Sequence, residues 1–304
     1  MNLVGIALES NELYPGNEVE RIAHFYRRLD EISTLIGEQL YERFEFQCTA
    51  KAIQFPFLMG EGLWTGGENL KPYDEVREVL KHGTLGMGYI GLAEALTCLI
   101  GEHHGQSDRA QKMGLEIVTL IKNKADFFKE KYNLNYACLA TPAEGTAGKF
   151  TLKDRKKYGS IPGVTDRDFY TNSNHVPVYH NITAFEKIAK EAPYHALTGG
   201  GHILYIEMDT DAQKNLGAFM MIIKQMKDTN TGYGAVNVPS CRCLKCGYDK
   251  PFEDKCPVCG ETELLAIIKR ITGYLVGETS RWNSGKKAEE KARVKHGIQK
   301  IEEM

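Results

Sequence analysis

Two Cys-x-x-Cys pairs, Cys243/Cys246 and Cys256/Cys259, stand nine residues apart, each followed at once by a glycine, Gly247 and Gly260. Thiolates at this spacing can close tetrahedrally on Zn²⁺, and the glycines let backbone amides turn toward the sulfurs. A redox dithiol and an iron–sulfur site are the other readings of the same spacing. A closed four-sulfur site leaves no open position for a substrate, so its role is expected to be structural. Five of the eight cysteines fall between Cys241 and Cys259, whereas Cys48, Cys98 and Cys138 stand singly in apolar surroundings. That distribution suits metal binding in a reducing compartment better than a disulfide framework, and the expected location is the cytoplasm. Cys241 is left as a spare thiol or an alternative ligand.

So small a module cannot organise 304 residues, a length that suits two domains or one large α/β domain with an appendage. The net charge of −2 gives no reason to expect a nucleic-acid or acidic-membrane partner. No apolar run approaches the ~18 residues that span a bilayer. The opening residues Met1 to Glu9 lack the basic region and apolar core of a signal peptide.

Short apolar strands alternate with helical patterns, which predicts an α/β fold with a substantially parallel sheet. Asn2 to Leu8 reads as a strand already under way at residue 1. Val19, Ile22, Phe25, Tyr26, Leu29, Ile32, Leu35, Ile36 and Leu40 recur at helical spacing and predict a long core-facing helix. Residues 55–69 read as a loop. Gly83, Gly86, Gly88 and Gly91 lie in an apolar stretch that runs into a helix over Ala93 to Leu99. Ser107 or Asp108 can cap a helix burying Met113, Ile117, Leu120, Ile121 and Phe128. A strand at Tyr136 to Leu139, a polar loop to about Asn174, a strand at Ile203 to Glu207 and a helix from Leu216 to Met226 follow. Beyond the cysteines, Leu264 to Ile268 reads as a strand, and a charged tail closes the chain.

Several stretches carry chemistry. The glycine-rich segment from Gly83 can bring amides to a phosphate, although it matches neither a P-loop nor a dinucleotide fingerprint, and close strand–helix packing explains it as well. Glu144, in the small-residue run Thr141 to Phe150, is an acid–base candidate if buried and an ordinary loop carboxylate if exposed. Tyr170 to Val178 offers neutral hydrogen-bonding groups in a row, suited to a hydroxyl-rich ligand. His103, His104 and His175 lack a second ligand at helical spacing, so satisfied or solvated histidines are expected there.

Together these pieces resemble one family, the anaerobic (class III) ribonucleoside-triphosphate reductases, which are glycyl-radical enzymes. The resemblance rests on Phe57-Leu-Met-Gly-Glu-Gly62, Lys81-His-Gly-Thr-Leu-Gly-Met-Gly-Tyr-Ile-Gly-Leu-Ala-Glu94, Thr141-Pro-Ala-Glu-Gly145, Tyr170-Thr-Asn-Ser173 and Gly199-Gly-Gly-His-Ile203. It continues through the double Cys-x-x-Cys, Arg270-Ile-Thr-Gly-Tyr274, Arg281-Trp-Asn-Ser-Gly-Lys286 and Arg293-Val-Lys-His296. It implies half of a ten-stranded α/β barrel over residues 1–240, a zinc-ribbon-like module over 241–262, and a radical loop with the C-terminal tail over 263–304. By motif Gly273 is the radical glycine, installed by a partner activase that uses S-adenosylmethionine and an iron–sulfur cluster. Only glycine lets both flanking amides delocalise a planar Cα radical without a crowding Cβ.

The resemblance further places Asn2 beside the substrate, makes Glu144 a candidate for proton transfer or the reductant step, and lines the pocket with Thr171, Asn172 and Ser173. Gly83, Thr84 and Gly86 are implied to meet the phosphates of a ribonucleoside triphosphate. In the family the thiyl cysteine lies shortly before a stretch matched here by Met1-Asn2-Leu3-Val4-Gly5. The chain is therefore expected to act with a missing N-terminal half or subunit, as an engineered piece, a truncated product or a natural split subunit. The complete enzyme is expected to be a homodimer, with formate or a redoxin as electron donor. The alternative is a non-catalytic spare part that restores another enzyme's damaged radical domain, a type that resembles only the terminal segment.

Overall fold

The computed structural model describes residues 1–208, 215–237, 240–249, 252, 255–268 and 282–297. The chain is extended only at Asn2, which forms a single parallel bridge with Ile90, and from there enters helix α1 (Leu3–Leu13). This corrects the strand expected over Asn2 to Leu8. A short apolar run reads alike as a buried strand or a buried helix, and here Leu3, Val4, Ile6, Ala7, Leu8 and Ser10 are all buried.

Helix α2 (Glu18–Cys48) starts where Asn17 Oδ1 accepts from Glu20 N, with Glu18 and Glu20 in its first turn. It runs well past the apolar pattern that predicted it. Its inward face is Phe25, Leu29, Ser33, Gly37, Phe44 and Cys48, while Val19 and Leu35 are exposed. The expected loop over 55–69 contains the short helix α3 (Pro56–Gly60), and α4 (Arg77–Leu80) precedes the sheet.

Strand β1 (Thr84–Tyr89) leads into α5 (Leu92–Ile100) and then α6 (Asp108–Tyr132), whose N-cap is Ser107 through a bond from Ala110 N. Strand β2 (Asn135–Ala140) returns parallel to β1, with Thr84 opposite Asn135 and Tyr89 opposite Ala140. Leu3, Phe25, Leu29, Tyr89, Leu96, Ile117 and Phe128 pack between sheet and helices, each fully withdrawn from water. Burial of a side chain of this size stabilises by roughly 1.5–3 kcal/mol.

Two helices follow, one inside what reads as a polar loop to about Asn174 and one beyond it. One is α7 (Thr146–Tyr158), whose buried face is only Ala147, Gly148, Thr151 and Asp154. A face of small and polar residues gives no apolar period to detect. The other is α8 (Ala184–His195), started by a capping box between Thr183 and Glu186.

Strand β3 (Leu204–Glu207), α9 (Leu216–Asp228) and β4 (Gly234–Asn237) form a β-α-β unit in parallel register, Leu204 opposite Gly234. Bonds from Gly200 N to Cys138 O (2.8 Å) and from Ala140 N to Gly201 O (3.0 Å) set the approach to β3 alongside β2. The body is thus α/β, and both its strand pairs are parallel.

Antiparallel strands β5 (Ser240–Cys243) and β6 (Leu265–Ile268) enclose the cysteine module, so its hydrogen bonding runs across the expected boundary at 262. Helix α10 (Ser284–Ala292) lies on the body against α7. A Cβ on Gly285 would come within 3.1 Å of Gly148 Cα, so the two helices meet backbone to backbone. Among the described residues no helix is long and apolar enough to cross a membrane.

Candidate active site and metal module

The segment Ile90-Gly91-Leu92 joins the carboxyl end of β1 to α5, the place where open α/β sheets present residues to ligands. Gly91 takes a left-handed conformation (φ +79°), and a Cβ there would lie 2.4 Å from Val4 Cγ2. On one flank Leu3 N donates to Ile90 O (3.2 Å), which fixes Asn2. On the other, Gly91 N donates to Thr171 O (3.0 Å) and Leu92 N to Ser173 O (3.3 Å). Residues 171–173 are all buried. The structure therefore gathers Asn2, Thr171, Asn172 and Ser173 around one turn, although 168 residues separate Asn2 from Thr171.

Two carboxylates hold this cluster, neither of them named as a site residue from the sequence. Glu94, in the first turn of α5, accepts from Thr171 N (2.8 Å) and Thr171 Oγ1 (2.6 Å) through one oxygen. Its other oxygen is buried without a hydrogen-bond partner among the described residues. Burial pushes the Glu94 carboxyl up to about 6, against the lowering effect of the Thr171 bonds. Asp154 on α7 accepts from Asn2 Nδ2 (2.7 Å) and from the Tyr170 hydroxyl (3.0 Å). Burial, and then the Asp154 charge, hold the Tyr170 phenol far above its ordinary value. The signals available for Glu94 are its place at the end of the Lys81 to Glu94 motif and three residues after a left-handed glycine at a helix start. Asp154 has none, because α7 itself is not visible in the pattern.

Glu144 lies in the turn after β2, at the same end of the strand pair as this cluster. It is half-buried, and its carbonyl accepts from Asn283 Nδ2 (3.2 Å). Gly83, Thr84 and Gly86 are placed differently. Residues 84–89 form a strand, and of the glycines in this stretch only Gly91 lies in the turn before α5. Six strand steps separate Thr84 from Ile90, about 20 Å at the usual rise, so Gly83 and Thr84 sit at the far end of β1, while Gly86 lies mid-strand, about 13 Å from Ile90. The Thr84 hydroxyl there accepts from Asn135 Nδ2 (2.8 Å).

Beneath the 171–178 loop, Glu191 is fully buried. It accepts from Val176 N (2.8 Å), from His175 Nδ1 (3.0 Å) and from Lys187 Nζ. Burial alone would raise its pKa, but Lys187 and His175 outweigh that and hold it well below the carboxylate range. His104 Nε2 donates to Asn174 O (3.0 Å), and burial lowers its pKa to about 4. Among the histidines expected to be satisfied or solvated, His104 and His175 therefore have partners.

In the module, Gly247 N donates to Cys243 O and Gly260 N to Cys256 O, both at 2.9 Å, and both glycines have positive φ (+76° and +72°). The two knuckles are thus built alike. Cys243 and Cys259 Sγ lie 3.5 Å apart, Cys246 and Cys256 Sγ 3.6 Å, and all four within 4.8 Å of one another. Four sulfurs at ~2.3 Å from a tetrahedral Zn²⁺ would stand roughly 3.8 Å apart. The residues fit that ion. Cys241 stays outside the group, its Sγ donating to Phe252 O (2.7 Å).

Gly273 falls outside the described residues, between β6 and α10. The tail beyond it is not a solvated charge run. Lys286 and Glu289 are buried and paired at 2.6 Å, and Glu289 also pairs with Arg293 at 3.4 Å. Burial would raise the Glu289 pKa, and the cations Lys286 and Arg293 lower it on balance. Arg293 pairs in addition with Glu207, at the end of β3.

The sequence profile of the anaerobic ribonucleoside-triphosphate reductases matches residues 1–296. The chain is 36% identical over 306 aligned residues to the anaerobic ribonucleoside-triphosphate reductase of enterobacteria phage T4, covering 97% of this chain and 48% of that one. Against the enzyme of Escherichia coli K12 the identity is 34% over 307 residues, covering 97% and 41%. The chain thus spans less than half the length of these curated relatives. Among solved structures, an anaerobic ribonucleotide reductase superposes with a TM-score of 0.73 at 21% identity, covering 98% of this chain and 44% of that one. The Thermotoga maritima anaerobic ribonucleotide reductase in complex with dATP and CTP gives 0.67 at 22% identity, covering 96% and 44%. At that identity the superpositions speak for the fold, while the profile and the curated relatives carry the assignment. The chain belongs to the anaerobic ribonucleoside-triphosphate reductase family.

Proposed function

We propose that this chain carries the radical-bearing part of a ribonucleoside-triphosphate reductase, an enzyme that converts ribonucleoside triphosphates to 2′-deoxyribonucleoside triphosphates. The observation that carries this reading is the gathering of Asn2 and Thr171 to Ser173 on the two flanks of Ile90–Leu92. These are the residues that the family resemblance assigns to the substrate. The parallel strand pairs are read as half of a glycyl-radical barrel, completed by the other half, and the whole enzyme as a cytoplasmic homodimer. The match over residues 1–296 favours this reading over a spare part confined to the terminal segment.

In this reading a partner activase breaks the Gly273 Cα–H bond homolytically and carries the hydrogen atom away. Bound Zn²⁺ would supply folding energy through Cys243, Cys246, Cys256 and Cys259, holding one end of the radical segment in place. Asn2, with its amide nitrogen committed to Asp154, keeps its oxygen for a hydroxyl donor. Glu94 holds Thr171 at the rim of the pocket, and Glu144 stands at the same end of the sheet for proton transfer. The set-apart position of Gly83, Thr84 and Gly86 leaves them the weakest members of the proposed site.

The test is anaerobic EPR after incubation with a class III activase, S-adenosylmethionine and a reductant. The zinc-loaded chain is used alone and mixed with the N-terminal part of a relative. A doublet absent from Gly273→Ala is expected. No doublet under either condition would remove Gly273 from its role.

A further inference from the structure

The segment 283–297 touches, in order, the turn that carries Glu144, the loop that carries Asn172, and the end of β3. Asn283 Nδ2 donates to Glu144 O (3.2 Å), and Gly285 lies backbone to backbone on Gly148. One turn later Glu289 Oε2 accepts from Asn172 Nδ2 (3.4 Å) and from Lys286 Nζ (2.6 Å). Further on, Val294 N donates to Val178 O (2.9 Å) and His296 N to Glu207 O (2.8 Å). Gly297 O accepts from Ala184 N (3.1 Å). Glu207 N in turn donates to His296 Nδ1 (2.8 Å).

The charges along this path are buried and balanced. Lys286 and Arg293 face Glu289 and Glu207, which makes the docked position costly to leave halfway. A nine-residue helix with five charged residues has little reason to bury itself otherwise. Glu289 is the member that reaches from this strap to the loop.

We propose that Glu289 is a positioning residue, tying the docked C-terminal segment to Asn172 so that the Thr171 to Ser173 loop keeps its shape only while that segment is in place. The inference rests on the reading of that loop as a substrate loop for its importance, but not for its test. Residues 269–281, with Gly273 among them, connect the cysteine module to this strap.

Hydrogen exchange on the full chain measures the coupling without any ligand. Asn172→Asp sets a second carboxylate against Glu289, and protection is expected to fall about tenfold or more at both 171–176 and 284–297. Adding Glu289→Gln lets the new amide donate to the carboxylate introduced at position 172, and protection should return to within about threefold of wild type at both places. Lys291→Gln, on the exposed side of α10, is the control and should change neither. A fall confined to 171–176 in Asn172→Asp, or a double variant no better protected than the single one, would overturn the proposal.

CTP affinity, measured on the wild type and Glu289→Gln, separates this inference from the function it rests on. A weakening of about five- to tenfold is expected in Glu289→Gln, whose side chain touches the loop and not the ligand. Binding unchanged in Glu289→Gln would count against positioning. No CTP binding by the wild type, with the exchange coupling intact, would overturn the substrate reading and leave the coupling standing.

Discussion

The cysteine module and the polar cluster at Ile90–Leu92 are both held by side chains rather than by an apolar core, yet they are assembled over different distances. Cys243 to Cys259 spans 17 residues, and each knuckle closes on its own glycine. The cluster draws on Asn2, Glu94, Asp154 and Thr171 to Ser173, brought together only by the packing of α1, α5 and α7. In the module Leu244, Val258 and Leu264 are exposed, so little apolar packing is available there and an ion held by the four cysteines would be the main source of order. Around the cluster every carboxylate is buried and its order comes from the body. Local chemistry thus makes a module that depends on its metal, and distant chemistry makes a site that depends on the whole fold.

Metal removal is the sharpest way to break the comparison. Structural Zn²⁺ is worth on the order of 10 kcal/mol to so small a unit. Chelation, or Cys256→Ser, should unfold the module while the body keeps its unfolding midpoint, as followed by near-UV circular dichroism and calorimetry. A single joint transition would show that the two regions are one unit.

The next largest effect is expected at Glu191. Glu191→Ala leaves Lys187 charged and buried without its partner, at a cost of roughly 3–5 kcal/mol in urea unfolding. Lys187→Met added to it should recover part of that loss. A cost under about 1 kcal/mol would mean that water reaches this site.

Glu94 gives a pH signature. Its pKa is raised from an ordinary 4.5 to about 6 by burial, so the folded state binds its proton more tightly than the unfolded one. Its contribution is fully present below pH 4.5 and is lost as pH rises through 6. Relative to Glu94→Gln, the wild type should lose about 2 kcal/mol between pH 4.5 and 7. Parallel stability curves for the two proteins would contradict a buried Glu94.

The smallest predicted effect concerns the tail. Asn283 caps α10 through a bond to Lys286 N (3.0 Å) and holds the Glu144 carbonyl. Asn283→Ala should cost about 1 kcal/mol. Exchange should rise at 284–292 first, with the cysteine module unaffected.

What the sequence determined by itself was whatever lies within a few residues. The two knuckles, the Ser107 cap, the long helix from Glu18 and the strand at Tyr136 needed only spacing and residue type, because their causes are local. The family match, too, rests on ordered short motifs. Tertiary structure decided the rest. Leu3 to Leu8 became a helix because burial on every side suits either element, and only its packing against α2 and α5 chose. Helix α7 buries small and polar residues, so no period marked it, and with it Asp154 stayed out of sight. Gly86 and Gly88 proved to be strand residues of β1, which carries Thr84 about 20 Å from the turn at Ile90–Leu92. Glu94, Glu191 and Glu289 look like ordinary surface charges in sequence. Each is buried with a hydrogen-bond partner from another part of the fold, Thr171, His175 and Asn172 in turn, and a buried polar group is stable only where the fold delivers such partners.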